Sequence, residues 1–319
     1  MAEISKADPS KSGAPEAGDP PTRCGIIAII GVPNAGKSTL VNALVGAKVT
    51  IISRKVQTTR IQIRGIAMEG ASQLVLIDTP GIFAPKRRLD KAMVASAWAG
   101  AADADQVLVL VDAAKGLDEE VERMLSKLAE ANQTAILVLN KVDRVEDKSR
   151  LLALVQELTQ RLAFARVFMI AALTGNGVAE LKRYLAQHVP EGPWLYPEDE
   201  LSDIPVRQLA AEVTREKIYD NLHDELPYQI TVETETWKTL RDKSVRVEQV
   251  IFVERDSQKS IVLGKGGQTI KKISQASRAE LAEIAGVPVH LFLFVKVREG
   301  WDRDPERYRN MGLEFPGDD

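Results

Sequence analysis

Gly31-Val32-Pro33-Asn34-Ala35-Gly36-Lys37-Ser38, followed by Thr39, decides how this chain is read. The stretch has the form GxxxxGK[ST] and stands directly after the apolar run 24–30, where a buried strand gives way to a helix. In that setting the glycines let backbone N–H groups close around phosphate oxygens, and the helix that follows turns its positive end toward them. Lys37 is placed to reach the β- and γ-phosphates of a nucleotide, and the Ser38 hydroxyl to ligate Mg²⁺. The plain alternative is an ordinary Gly-containing turn, and the surrounding chain argues against it.

From Cys24 to Val189, short β-branched runs alternate with helical patterns, which predicts βαβ units in an α/β fold with a parallel or mixed sheet. Strands are expected at 25–30, 62–67, 74–77, 107–111, 135–139 and 167–170, and helices from near Lys37, Leu89, Asp118, Lys148 and Gly177. The segment Pro190-Glu-Gly-Pro-Trp-Leu-Tyr-Pro197 then interrupts all regular structure with three prolines. Beyond it the order becomes helix, strand (229–235), strand (246–254), helix (268–285) and strand (289–297), the pattern of a small α+β domain. The expected division is a disordered tail at 1–22, a first domain at 23–190, a linker at 191–204 and a second domain at 205–319.

The chain has 319 residues, with 45% apolar and 27% charged residues, as in ordinary globular proteins. Its single cysteine, Cys24, excludes a disulfide scaffold and reads as a packed thiol in a strand. No apolar run approaches the ~18 residues of a membrane span. A net charge of −3 gives no global reason to expect nucleic acid, so such binding needs a local patch. The acidic, Pro- and Gly-containing N-terminus lacks the pattern of a signal or transit peptide. His188, His223 and His290 show no metal-ligand spacing. Trp194, Tyr196 and Trp301 read as packing residues.

Further polar motifs fall at strand ends. Asp78-Thr-Pro-Gly81 can hold Mg²⁺ through Asp78 and meet the γ-phosphate with the Gly81 N–H. Asn140-Lys141-Val142-Asp143 can read guanine: Asp143 accepts both guanine N–H donors while Lys141 lies over the ring. Adenine offers no matching donors, so the carboxylate would be left unpaired. Ala171-Ala172 follows the sixth strand, with the Ala172 N–H directed at the guanine carbonyl. The polar loop 54–60 supplies either Thr58 or Thr59 to Mg²⁺. Ile82 stands where a water-orienting glutamine is found in Ras-like proteins, which predicts slow intrinsic hydrolysis.

In the second domain, Gly264-Lys265-Gly266-Gly267 opens a helix and has the GxxG form that clamps the backbone of single-stranded RNA. Residues 257–279 hold the cations Lys259, Lys265, Lys271, Lys272 and Arg278 and no carboxylate, which supplies the missing local patch. Ile270, Ile273, Leu281 and Ile284 read as the core stripe of that helix. Arg207, Arg215 and Lys217, on the first helix of the second domain, read as a solvated face, with membrane or ribosome contact as the alternative.

The chain resembles the Era family, bacterial ribosome-assembly GTPases with a C-terminal type II KH domain. The resemblance rests on GVPNAGKST at 31–39, SRKVQTTR at 53–60, DTPG at 78–81, NKVD at 140–143 and EVTREKIYDNLHDELPYQITVE at 212–233. It covers about 22–317. It implies a Ras-like P-loop GTPase fold, GTP/GDP and Mg²⁺ as ligands, Thr59 rather than Thr58 at the metal, and Lys37, Thr59 and Gly81 in hydrolysis. An asparagine at the position of Asn34 implies K⁺ beside the phosphates. The implied partners are the 3′ end of 16S rRNA and the 30S subunit, with a monomeric, cytoplasmic protein that can associate peripherally with membrane. Ala171 replaces the family's usual serine, removing a hydroxyl that steadies the loop. The competing reading is a peripheral-membrane or cell-cycle signalling GTPase whose KH domain binds protein.

Overall fold

The computed structural model describes residues 21–53, 55, 58–85, 87–222, 226–301 and 304–316. Nearly all of the expected tail, and His223, lie outside the described residues. The first sheet is built around strand β1 (Arg23–Ile30), whose last four residues are fully buried. Apolar side chains on both faces of one strand require a covering layer on each side. Helices α1 (Lys37–Val45), α2 (Arg88–Ala102), α3 (Glu119–Glu130), α4 (Ser149–Arg161) and α5 (Val178–His188) provide those layers. α3 shows how locally this is written: Asp118 caps it by accepting from the Glu120 and Val121 N–H groups, and Val121, Met124, Leu125 and Leu128 face inward.

Strands β2 (Ile63–Glu69), β3 (Ser72–Asp78), β4 (Gln106–Asp112), β5 (Ala135–Asn140) and β6 (Phe164–Met169) complete the sheet in the order β2-β3-β1-β4-β5-β6. It is mixed, because β2 runs antiparallel to β3 while the other pairings are parallel. Gly70 and Ala71 alone join β2 to β3, too few residues for a crossover, and Gly70 takes φ 59° to close the turn. β1 lies between β3 and β4, where the strand order reverses. The loops leaving the carboxyl ends of β1, β3, β4 and β5 therefore converge on one crevice.

Residues 190–205 lack helix or strand but are tied to this sheet. The Gln73 side chain donates to Tyr196 O (2.8 Å) and accepts from the Leu195 and Tyr196 N–H groups, and Trp194 Nε1 donates to Ala71 O. Next come α6 (Val206–Asn221), β7 (Thr231–Thr239), β8 (Val245–Val253), α7 (Asp256–Leu263), α8 (Gln268–Ala285), β9 (Val289–Val297) and α9 (Pro305–Asn310). The second sheet has the order β7-β8-β9, antiparallel then parallel. Its core joins Ile218 and Val213 of α6 to Ile251, Val247, Val262, Ile273 and Leu281.

Three expectations need correction. The element order is α-β-β-α-α-β, because α7 was not foreseen; it is eight residues long and buries only Gln258 and Val262, too little for a periodic signal. Ile284 does not belong to the α8 core stripe. It is 36% exposed and lines a cleft between the two halves, whereas Ile273, Ser277 and Leu281 face inward. Of the three cations on α6 only Arg207 is exposed. Arg215 is 2% exposed because α6 packs on the first domain, where it donates to Thr58 O, and Lys217 pairs with Glu216 and with Glu280 of α8.

Candidate functional site

The loop after β1 is fixed by close packing. A Cβ at Gly31 would lie 2.6 Å from Leu110 O, and one at Gly36 would lie 2.4 Å from Asn140 Nδ2, so neither position tolerates a side chain without displacement. Gly36 also takes φ 103° and Asn34 φ 63°, left-handed conformations that suit glycine and asparagine. Lys37 is buried at the start of α1, and its ammonium donates to Gly31 O (2.9 Å) and Val32 O (3.1 Å). Burial lowers its pKa to about 8 against the opposing pull of Asp78. A buried, weakly compensated cation is primed for the negative charge of a phosphate.

Behind it, Asp78 at the end of β3 is fully buried. Its Oδ2 accepts from Thr50 Oγ1 (2.7 Å), Ser38 Oγ (2.8 Å) and Thr59 Oγ1 (3.2 Å), while Ser38 Oγ and Thr59 Oγ1 lie 3.0 Å apart. Desolvation raises the Asp78 pKa, with these hydroxyls opposing. The buried Asp78 Oδ1 has no hydrogen-bond partner among the described residues. Hard oxygen donors and one unused carboxylate oxygen suit Mg²⁺, which takes few protein ligands and completes its shell with water and phosphate. Thr58 turns its hydroxyl away, onto Lys55 O at 2.7 Å. Gly81 sits against the phosphate loop, where a Cβ would meet Pro33 at 2.9 Å, and the next N–H, of Ile82, donates to Gly31 O.

The base end is interlocked in the same way. Asn140 Nδ2 donates to Ala35 O (2.9 Å), and its Oδ1 accepts from the Ala172 N–H (3.0 Å). Ala172 was expected to direct that N–H at guanine; here it pins its own loop to Asn140. The Ala171 N–H donates to Asn176 O. Lys141 adopts φ 62°, and its ammonium donates to Asn34 O (2.6 Å) and pairs with Asp112 at 2.7 Å. Asp112 was missed in the sequence, although it ends an apolar strand at the register position opposite Asn140. Asp143 lies in the short turn Val142–Arg144. Together Asn34, Gly36, Lys37, Ser38, Thr39, Thr59, Gly81, Asp143 and Ala172 line a cavity of about 940 Å³, within the usual range for a ligand site. Tyr219 and Asp220 of α6 also line it; they lie in the stretch 212–233, to which the sequence reading gave no role at the nucleotide.

The GxxG turn is open by contrast. Gly264 ends α7 with φ 73°, and a Cβ there would strike Thr269 Oγ1 at 2.2 Å. Gly266 and Gly267 also take positive φ, but nothing lies within 4 Å of a Cβ at either. Gly267 caps α8, so the helix N-terminus points out of the turn with Lys265, Lys271 and Lys272 exposed around it. Ile261 beside it is 54% exposed, an apolar wall that the sequence reading did not single out.

Residues 26–141 match the family of 50S ribosome-binding GTPases, and residues 225–302 match the KH domain family. The chain is 66% identical over 302 residues to GTPase Era of Afipia carboxidovorans, covering 95% of this chain and 98% of that one. It superimposes with a TM-score of 0.86, at 36% identity over 91% of this chain and 99% of the other, on a crystal structure of Era in complex with MgGDPNP and nucleotides 1506–1542 of 16S ribosomal RNA. A variant of Aquifex aeolicus Era bound to GDP and AlF4⁻ matches to the same extent. A phosphate loop, a guanine-reading motif and a GxxG turn in one chain, alike over nearly its full length to these proteins, place the protein in the Era family of GTPases, with a Ras-like P-loop domain followed by a KH domain.

Proposed function

We propose that the protein is a GTP-hydrolysing switch that binds the 3′ end of 16S rRNA in maturation of the 30S subunit. The observation that carries the coupling is that the second domain holds the loop beside the γ-phosphate position. Arg215 of α6 donates to Thr58 O, the Glu216 carboxylate accepts from the Ile52 N–H (2.8 Å), and Arg60 inserts its guanidinium among Ile230 O, Tyr228 O and Tyr219 Oη. Next to the other loop, Leu89, Ala92 and Met93 of α2 pack on Trp301, Tyr308 and Leu313. Ordering or releasing these two loops with GTP must therefore shift how the KH domain is seated, and by linkage RNA shifts nucleotide affinity in return.

We divide the chain into a tail at 1–22, a GTPase domain at 23–190, a linker at 191–204 and a KH domain at 205–319. In the pocket, Gly31, Asn34, Ala35, Gly36, Lys37, Ser38 and Thr39 enclose the phosphates with backbone N–H groups and the Lys37 ammonium. Ser38, Thr59 and Asp78 hold Mg²⁺, which when bound neutralises charge on the β- and γ-phosphates. Lys37 and the Gly81 N–H stabilise developing charge on the transferred group, while Thr59 fixes the metal side. Asn140, Lys141, Asp143, Ala171 and Ala172 frame guanine. Without a glutamine at Ile82, intrinsic hydrolysis is slow. Asn34 helps hold K⁺, so replacing K⁺ by Na⁺ should slow hydrolysis and Asn34→Ala should erase the difference.

Gly264, Lys265, Gly266, Gly267, Lys271 and Lys272 clamp the RNA backbone. The 50S named for the first family belongs to a match confined to the nucleotide-binding half, whereas we assign RNA contact to the KH half. No helix among the described residues is long and apolar enough to cross a membrane. We place the protein in the cytoplasm as a monomer, with any membrane association peripheral.

The test is binding of a labelled 16S 3′-end oligonucleotide with GDP, with a non-hydrolysable GTP analogue and without nucleotide. A shuffled oligonucleotide and Gly264→Asp/Gly267→Asp serve as controls. Tight, sequence-selective binding favoured by the analogue supports the assignment. Weak binding indifferent to sequence and nucleotide contradicts it and favours a protein or membrane partner.

A further inference from the structure

Thr59 is bracketed by two anchors that both belong to the second domain. The residue before it gives its carbonyl to Arg215. The residue after it, Arg60, is buried and donates to Ile230 O (2.8 Å), Tyr228 O (3.0 Å), Tyr219 Oη (3.2 Å) and Pro227 O (3.3 Å). Between these anchors the Thr59 hydroxyl is brought to 3.0 Å from Ser38 Oγ and 3.2 Å from Asp78 Oδ2. The nearer anchor is itself fixed: Glu212, one helical turn earlier on α6, takes two hydrogen bonds from the Arg215 guanidinium, through Nε (2.8 Å) and Nη2. Although burial works against its charge, the Glu212 carboxylate keeps Arg215 firmly cationic. A buried Arg–carboxylate pair on a helix, whose Nη2 also donates to a backbone carbonyl of another domain while the buried Nη1 has no hydrogen-bond partner among the described residues, ties that loop to the helix.

We propose that Arg215 is a positioning residue for GTP hydrolysis: from the KH domain it sets the Thr58 carbonyl, and through it the Thr59 hydroxyl, in register with Ser38 and Asp78. This rests on the reading of Thr59 as a residue of the metal site. Arg215 is absent from the lining of the nucleotide cavity, whereas Thr59 is part of it, so its influence passes through the backbone. Seating of the KH domain thereby becomes a condition for the competent arrangement of the loop, and loss of the Arg215 contact would let Thr59 shift on the scale of about 1 Å. A misplacement on that scale is sufficient to slow chemistry substantially.

A double-mutant cycle on the full-length protein tests this. Single-turnover GTP hydrolysis is measured for Arg215→Lys and for Arg215→Met/Glu212→Gln, each with Thr59 intact and with Thr59→Ala. GDP affinity in EDTA and thermal melting accompany each variant. Both Arg215 variants should lower the single-turnover rate constant by roughly 10- to 100-fold with the half-saturating concentration nearly unchanged, and should raise the Mg²⁺ concentration for half-maximal rate. In the Thr59→Ala background they should cost no further rate beyond about twofold, the scatter of independent sites. Equal losses in both backgrounds, no loss at all, or a parallel fall in metal-free GDP affinity would overturn the positioning role. Thr59→Ala that hydrolyses normally would instead remove the metal-site reading on which it rests. The double variant, which removes both members of the buried pair, keeps the test valid if Arg215→Lys alone fails to fold.

Discussion

The nucleotide pocket and the GxxG turn are both glycine-dependent anion sites at helix N-termini, yet they are built in opposite ways. In the pocket, glycines are imposed by neighbours: Gly31, Gly36 and Gly81 each have a backbone or side-chain atom within 3 Å of where a Cβ would go. Every motif there is bonded to another, Asn140 to Ala35 and Ala172, Lys141 to Asn34 and Asp112, Asp78 to Ser38, Thr50 and Thr59. In the turn Gly264 is constrained in this way by Thr269, but a Cβ at Gly266 or Gly267 would enter open space, and the surrounding lysines are exposed. A site that must stabilise charge on a reacting group is preorganised and dry, while one that grips a flexible backbone stays accessible.

The comparison predicts where damage spreads. Asp78→Asn should give the largest effect, lowering single-turnover GTP hydrolysis on the order of 10²–10³-fold, because the one buried carboxylate of the cluster is lost. Nucleotide-free RNA binding should persist; its loss would mean the two sites are one cooperative unit. Gly267→Asp should act in the other direction, weakening RNA binding by roughly 10- to 100-fold, equivalent to about 1.4–2.7 kcal/mol. Hydrolysis measured without RNA is the control, and a comparable loss there would contradict the separation.

Conservative substitutions sharpen the contrast. Gly36→Ala should destabilise by about 1–3 kcal/mol and lower GDP affinity, since both its φ and the Asn140 contact oppose a Cβ. Gly267→Ala should cost only the conformational part, about 1–2 kcal/mol, seen as a smaller drop in melting temperature. If the two drops were equal, the claim of an interlocked pocket would fail.

Legibility in the sequence follows the same line. The phosphate loop, DTPG, NKVD and GxxG could be read because each packs its chemistry into four to eight consecutive residues. The second domain's role in the pocket could not. Arg215 and Lys217 flank Glu216 on a helix, and such alternation ordinarily marks a solvated face, whereas here the partners Thr58, Lys48 and Glu280 come from far along the chain. Asp112 was within reach, since a carboxylate ending an apolar strand beside Asn140 is a register argument. The antiparallel β2 was written in Gly70-Ala71. The short helix α7 was hidden because it buries a glutamine beside one apolar residue.

The smallest predicted effect concerns protons. In the nucleotide-free protein the Lys37 pKa is lowered to about 8 by burial, below the ordinary value near 10.4. Between those values the unfolded chain binds more protons than the folded one, so this group makes stability rise with pH across roughly pH 8–10.4. Phosphate restores the ammonium. GDP binding at pH 8 should therefore take up a fraction of a proton, about half at most, read from calorimetry in buffers of different ionisation enthalpy. Lys37→Met should abolish the uptake.

The central claim is that the preorganised site and the open site communicate through the loop around Thr59. Its most direct test is the affinity of a non-hydrolysable GTP analogue and of GDP, each measured with and without saturating 16S 3′-end oligonucleotide. The account predicts that RNA changes the ratio of the two affinities, and by the same factor that the analogue changes RNA affinity relative to GDP. A ratio unmoved by RNA would contradict it.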